Sequence, residues 1–149
     1  LPSYWQHAVI NRTSSGAPQT IVAGTDRALT GLAGQTADQL SDDIFLDESG
    51  DLGSVRYNRA AFAPPALGTY GDAGFFSVPG IATWTLDAAV SRQFALTGAQ
   101  RLELRLEAFN VPNAVRAIDP TGTITNVNFG RITAVQQPRI MQFAVKYLF

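Results

Sequence analysis

The sequence predicts an all-β chain, with antiparallel strands separated by long loops, as part of a transmembrane β-barrel. Three observations carry that prediction. Apolar and polar residues alternate with period two over Met141–Phe149 and Arg101–Phe109, the signature of a strand whose two faces meet different media. Short and long connections alternate between the candidate strands, as they do between the two rims of an outer-membrane barrel. No run approaches the roughly eighteen consecutive apolar residues of a membrane helix, so any membrane role falls to strands.

Residues 4–24 are rich in β-branched and aromatic residues at both ends, with Ser14-Ser15-Gly16-Ala17-Pro18 between them. They read either as two short strands and a turn or as one long strand with a bulge. Tyr4 and Trp5 suit a membrane–water interface, and equally a core or edge anchor. From about residue 25 to 80 the periodicity dissolves among glycines, Pro64-Pro65 and Pro79. Leu40 and Ile44 share a helical i, i+4 spacing, so Ala37–Leu46 is expected to hold a helical turn, and Tyr57–Phe62 another. So long a loop is an anomaly in a small soluble domain but ordinary on the extracellular rim of a barrel.

Alternation returns over Ala82–Phe94, with Trp84, Leu86, Ala88 and Val90 on one face and Thr83, Thr85, Asp87, Ala89, Ser91 and Gln93 on the other. Arg92 falls on the apolar side. The short turn Leu96-Thr97-Gly98-Ala99-Gln100 leads into the cleanest pattern in the chain. Leu102, Leu104, Leu106 and Ala108 alternate with Arg101, Glu103, Arg105 and Glu107. A helix would scatter those leucines in 100° steps, whereas a strand lines them up. Residues 84–94 and 101–109 are therefore expected to form a hairpin. A second long loop, about 111–138, carries the turn chemistry of Val111-Pro112-Asn113 and Asp119-Pro120-Thr121-Gly122. In the closing strand, Met141, Phe143, Val145, Tyr147 and Phe149 alternate with Gln142, Ala144 and Lys146, and Leu148 is the bulky exception.

Composition narrows the function classes. The 149 residues are 46% hydrophobic with a net charge of −1, so no polyanionic partner is implied and no nucleic acid is expected. With no cysteine and one histidine, His7, a disulfide framework, a thiolate metal site and a multi-histidine centre are excluded within one chain. The run Asp42, Asp43, Asp47, Glu48 and Asp51 offers oxygen ligands for calcium, but lacks the glycine placement and terminal glutamate of a calcium loop; a solvated loop is the simpler reading. Glu103 and Glu107, each beside an arginine, read as neutralised charges rather than as an acid and a base. The chain is expected to be non-enzymatic, with no catalytic, cofactor-binding or metal residues.

Three ordered stretches resemble the C-terminal part of TonB-dependent outer-membrane receptors, in particular the Oar-like group frequent in acidobacteria. The first is Arg101 to Asn113, with its Glu107-Ala108-Phe109-Asn110 ending. The second is Asn128-Phe129-Gly130-Arg131-Ile132-Thr133, followed by Pro138 to Ala144. The third is Trp5-Gln6 with Ser15-Gly16-Ala17-Pro18 and then Gly24 to Gly31. Asn58-Arg59-Ala60-Ala61-Phe62 and Gly80-Ile81-Ala82-Thr83-Trp84 look like that group's loop, so the resemblance covers nearly the whole chain. It implies that Met141, Phe143, Val145, Tyr147 and Phe149 are the signal read by the barrel assembly machinery. It implies a lipid-facing row of those residues with Trp84, Leu86, Val90, Leu102, Leu104 and Leu106. Arg101, Glu103, Arg105, Glu107, Gln142 and Lys146 would then face the lumen. Leu148 and Arg92 depart from that division near strand ends, where the interface tolerates them.

The departure from the family is large. Such transporters close about 22 strands around a plug, whereas this chain offers four strands at most and no plug or TonB box. Four strands cannot close a transport pore, and they leave two edges with unpaired N–H and C=O groups. The start at Leu1, with no signal-like segment, reads as a processed piece. The leading expectation is a single segment, residues 1–149, in the bacterial outer membrane, completed by the rest of the receptor barrel, its plug and outer-membrane lipid. The alternative is a receptor fragment that re-assembles through its strand edges with copies of itself, as an extracellular β-rich filament subunit. A small soluble β-sandwich is a third reading, with a two-sheet core in which the Leu102–Leu106 and Met141–Phe149 faces could pack on each other.

Overall fold

A computed structural model of the chain describes residues 4–47 and 49–149. Among them are six strands: β1 (Trp5–Ser14), β2 (Asp38–Gln39), β3 (Phe62–Ala63), β4 (Thr83–Ala95), β5 (Arg101–Phe109) and β6 (Ile140–Leu148). Among the described residues the only helical element is a single 3-10 turn, Arg59–Ala61. The fold is all-β. It divides into two compact units, one of residues 4–14, 84–115 and 137–149, the other of residues 15–83 and 116–136.

The first unit is an open four-stranded sheet in the order β1-β4-β5-β6. β4 and β5 form the expected antiparallel hairpin, with Ala95 opposite Arg101 and Ala88 opposite Ala108. Its turn closes through Leu96 N–H to Gln100 C=O at 3.0 Å, and Gly98 supplies the left-handed backbone (φ +67°) that a side chain would resist. β6 pairs antiparallel with β5 along its whole length, from Arg101 opposite Leu148 to Phe109 opposite Ile140. The leucine row and the closing strand are thus neighbours in one sheet. They are not the facing layers of a sandwich, and that reading falls.

The far end of the β4–β5–β6 ladder is fastened by asparagines. Asn110, almost fully buried, takes a left-handed conformation (φ +54°) that asparagine tolerates better than most residues. Its backbone N–H donates to the Asp87 carboxylate at 2.9 Å. Its side chain accepts from Ala114 N–H and donates to Ala114 C=O. Asn113 accepts from Arg139 N–H at 3.0 Å, and the Arg139 guanidinium donates to Val111 C=O at 3.2 Å. The chain therefore leaves β5 and enters β6 at a fixed place, which holds the register between them.

The second unit replaces the expected long loops with a folded body. Its core is Ile21, Ala37, Tyr57, Ala61, Phe62, Ala73, Val78, Ile124 and Phe129, with Ile44 and Phe45 packed against it. Tyr57, Phe62, Phe45 and Phe129 are in ring contact, with centroids 6.0–6.2 Å apart. Burial pushes the Tyr57 phenol up to about 12, with the Asp119 carboxylate adding to the shift. Distant segments meet through single bridges, such as Val22 with Thr36 and Thr123, and Val55 with Arg131. Gly130 makes one of these crossings possible. At φ +72° its Cα lies so close to Tyr57 that an added Cβ would stand 2.7 Å from the Tyr57 carbonyl oxygen.

One local expectation changes in this unit. Ala37–Leu46 forms no helical turn. Its backbone bonds outward, Ala37 N–H to Ile21 C=O and Leu40 N–H to Ala61 C=O, and β2 pairs with β3, Gln39 opposite Phe62. Leu40 is exposed while Ile44 packs against the core, so the two do not share one buried face. Tyr57–Phe62 does contain a turn, the 3-10 segment capped by the Asn58 side chain, which accepts from Ala60 N–H at 3.0 Å. Residues 4–24 split: β1 ends at Ser14, and the stretch beyond belongs to the second unit.

Candidate functional site

The site is the two-faced sheet of β4, β5 and β6. Antiparallel register sets side chains of like kind across all three strands. Phe94, Leu102 and Tyr147 form one tier; Arg92, Leu104 and Val145 the next; then Val90, Leu106 and Phe143, and finally Ala88, Ala108 and Met141. Leu86 and Trp84 continue the row along β4. On the other face stand Ala95, Arg101 and Leu148, then Gln93, Glu103 and Lys146, then Ser91, Arg105 and Ala144, and then Ala89, Glu107 and Gln142. The residues expected to share a face do share it.

The apolar face is open. Phe143 is 68% and Met141 60% exposed, and Val145, Tyr147, Leu106 and Trp84 are all exposed as well. A contiguous sheet face of this kind marks a surface that meets protein, lipid or a ligand. Phe149 follows β6, and its ring centre lies 6.0 Å from that of Tyr147.

The opposite face neutralises its charges locally. Arg105 Nε lies 2.8 Å from Glu107 Oε1, and Gln93 donates to Glu103 at 3.2 Å. Lys146 stands across from Glu103 in the register, where opposite charges attract. β1 joins this face through Ser91, whose hydroxyl lies 3.4 Å from the Gln6 amide oxygen. Arg105 and Glu107 also line a hollow of about 200 Å³ with Ala8, Ile10, Asp87 and Ala89. An arginine–glutamate pair there can bind or position polar groups.

His7 and the acidic run are held by local contacts. The His7 ring stacks near Trp5, with centroids 6.3 Å apart and planes 20° apart. In the acidic loop, Ser49 donates to Asp47 through its backbone N–H at 2.8 Å and its hydroxyl at 2.9 Å, which holds the Asp47 carboxyl below the usual range. Glu48 lies outside the described residues. Among the described residues, no three His, Cys, Asp or Glu side chains gather as a metal site would require.

The sequence did not single out the partners of Arg92. Its guanidinium carbon lies 5.1 Å from the centre of the Trp5 ring and 4.8 Å from that of Phe94. The Phe94 contact was open to inference, since residues two apart in a strand are neighbours on one face. The Trp5 contact requires knowing that β1 lies beside β4.

A family model described as an outer membrane beta barrel domain matches residues 3–142. The match covers β1 to β5 whole and stops a little way into β6. No curated protein and no solved structure matches the chain.

Proposed function

The chain belongs to the outer membrane β-barrel domain family, and on that premise we propose that it forms the last strands of a TonB-dependent transporter of the Oar-like type. One observation carries this reading: the open apolar row that runs in register across β4, β5 and β6, interrupted by Arg92, with the other charges of these strands on the opposite face. Lipid covers the first face, and a lumen holding plug and solvent covers the second. Met141, Phe143, Val145, Tyr147 and Phe149 serve as the assembly signal. Arg101, Glu103, Arg105, Glu107 and Lys146 line the lumen. The segment itself is non-enzymatic, and its partners are the remaining barrel strands, the plug, outer-membrane lipid and the barrel assembly machinery.

The test is the native polypeptide. Recovered from outer-membrane preparations with an antibody to this chain, it is expected to be several times larger than 16.0 kDa, to carry a plug and to cross-link to TonB in cells. An outer-membrane polypeptide with these strands but no plug would overturn the transporter reading and leave the barrel standing.

A second reading draws on the outer positions of β1 and β6 in the sheet: a processed piece pairing through those strands into an extracellular filament. It predicts fibres by electron microscopy without detergent, and soluble monomers exclude it.

A further inference from the structure

The charged face of the sheet is not polar throughout. Where β1 and β4 lie side by side, Ala8 and Ala89 are too short to fill the space beside them. They leave a hollow of about 200 Å³, walled further by Ile10 and Phe109. Arg105, Glu107 and Phe109 follow at alternate positions of β5, so they stand in line on one face and form its bank. An apolar cavity of about 150 Å³ accepts a benzene ring. The hollow therefore has room for one ring or a short branched carbon body, which would bury apolar surface there.

The charges at this hollow do not balance. Arg105 Nε lies 2.8 Å from Glu107 Oε1, so that pair neutralises itself. Asp87 is the third charge. It is half-buried, and its Oδ1 accepts the Asn110 N–H at 2.9 Å. Among the described residues its other oxygen has no hydrogen-bond partner, and no cation pairs with it. One uncompensated negative charge thus stands beside an apolar wall. A positive group brought to such a carboxylate is attracted more strongly where water is partly excluded. An oxyanion would instead meet Asp87 and Glu107 together and be repelled.

We propose that this hollow binds a small organic cation, an ammonium group carried on an aromatic ring or a short branched carbon body. The ammonium pairs with Asp87, and the carbon body lies on Ala8, Ala89, Ile10 and Phe109. The inference rests on the lumen-facing reading of this face and goes beyond it, by giving the class of solute that the wall holds.

The probe is benzylammonium, with benzyl alcohol and benzoate as its neutral and anionic counterparts. The full chain, isotope-labelled at its isoleucine methyl groups, is titrated in detergent micelles and followed by nuclear magnetic resonance. The Ile10 signal is identified by its loss in Ile10→Val. It should shift with benzylammonium, whose affinity is expected to be about fivefold that of benzyl alcohol, the gain of one partly exposed ion pair. Benzoate should bind more weakly than the alcohol. Asp87→Asn keeps an acceptor for the Asn110 N–H and should bring the ammonium-to-alcohol ratio near one. Arg105→Gln removes the neighbouring positive charge and should raise that ratio, which a merely structural role would not do. Ala89→Leu fills the hollow and should abolish the Ile10 shift with every probe. No Ile10 shift with any probe, equal affinities for ammonium and alcohol, or a ratio unchanged in Asp87→Asn overturns the cation site. The lumen-facing reading is checked separately. A water-soluble gadolinium chelate should broaden the Ile10 signal, and broadening only by a spin label held in the micelle interior overturns that reading.

Discussion

The sheet and the loop body use their large side chains in opposite ways. In β5 and β6 Leu102, Leu104, Leu106, Phe143 and Tyr147 line one exposed or half-exposed face, and strand pairing alone holds them in line. In the loop body Tyr57, Ile21 and Ile132 are fully buried, although almost no regular strand surrounds them. The loop body carries its own apolar interior. The sheet leaves its apolar surface to be covered from outside, and this is why a membrane explains it. One chain thus contains an outward-facing and an inward-facing solution to burying apolar surface.

The sharpest way to break the comparison is to empty the inner core. Tyr57→Ala should destabilise the loop body by about 3–5 kcal/mol, the usual range for removing a buried aromatic side chain. Hydrogen exchange should show amides such as Ala23, Ala37 and Arg56 losing protection while β5 and β6 keep theirs. Equal loss in both regions would show that they fold as one unit.

A charge on the outer face tests the other half. Leu106→Arg should destabilise the protein in lipid vesicles by about 2–4 kcal/mol, the range for a basic residue near the bilayer centre. Ala144→Arg, on the charged face, should stay within about 0.5 kcal/mol. Chemical unfolding from vesicles measures both, and similar effects would contradict the assignment of faces.

Alkali should find the inner core again. The Tyr57 phenol ionises at about 12 when folded and at 10.0 otherwise, so the folded state resists losing that proton. Its contribution is fully present below pH 10 and is lost as pH rises through about 12. The loss amounts to about 2–3 kcal/mol. Tyrosinate absorbance followed with the unfolding midpoint should show one tyrosine ionising late, together with unfolding of the loop body.

Acid should have the smallest effect. Asp26 accepts Thr30 N–H at 3.0 Å and Gly31 N–H at 2.6 Å, and also takes the Gln35 amide. Those bonds, the Thr30 N–H first, hold its carboxyl below the usual 3.8. Its support is present above that value and fades as pH falls through the lower folded value. In Asp26→Asn the loop body should lose part of its acid sensitivity, measured by exchange at Thr30 and Gly31.

Legibility in the sequence followed the same division. Period two is a local property, so the two faces of β4, β5 and β6, the hairpin turn and the side occupied by Arg92 were readable from spacing, whereas the pairing of β5 with β6 was not. The loop body has no period to read. Val22 meets Thr36 on one side and Thr123 on the other, and no local pattern announces a contact a hundred residues away. Leu40 and Ile44 offered a helical spacing, but the backbone there found partners in Ile21 and Ala61 instead. Phe76 takes a left-handed conformation (φ +53°) that phenylalanine rarely adopts. Its N–H donates to the Thr20 hydroxyl at 2.8 Å, another long-range partner. The aromatic residues of the loops were visible, but the core they build depends on tertiary contacts.

The central claim is that lipid covers the row from Met141 to Tyr147. The chain has no cysteine, so single cysteines can be placed at each position from 141 to 147 without background. In vesicles, a water-soluble maleimide should label positions 142, 144 and 146 and leave 141, 143, 145 and 147 protected, and labelling should become uniform after unfolding. Reaction at the odd positions equal to or faster than at the even ones would contradict the account.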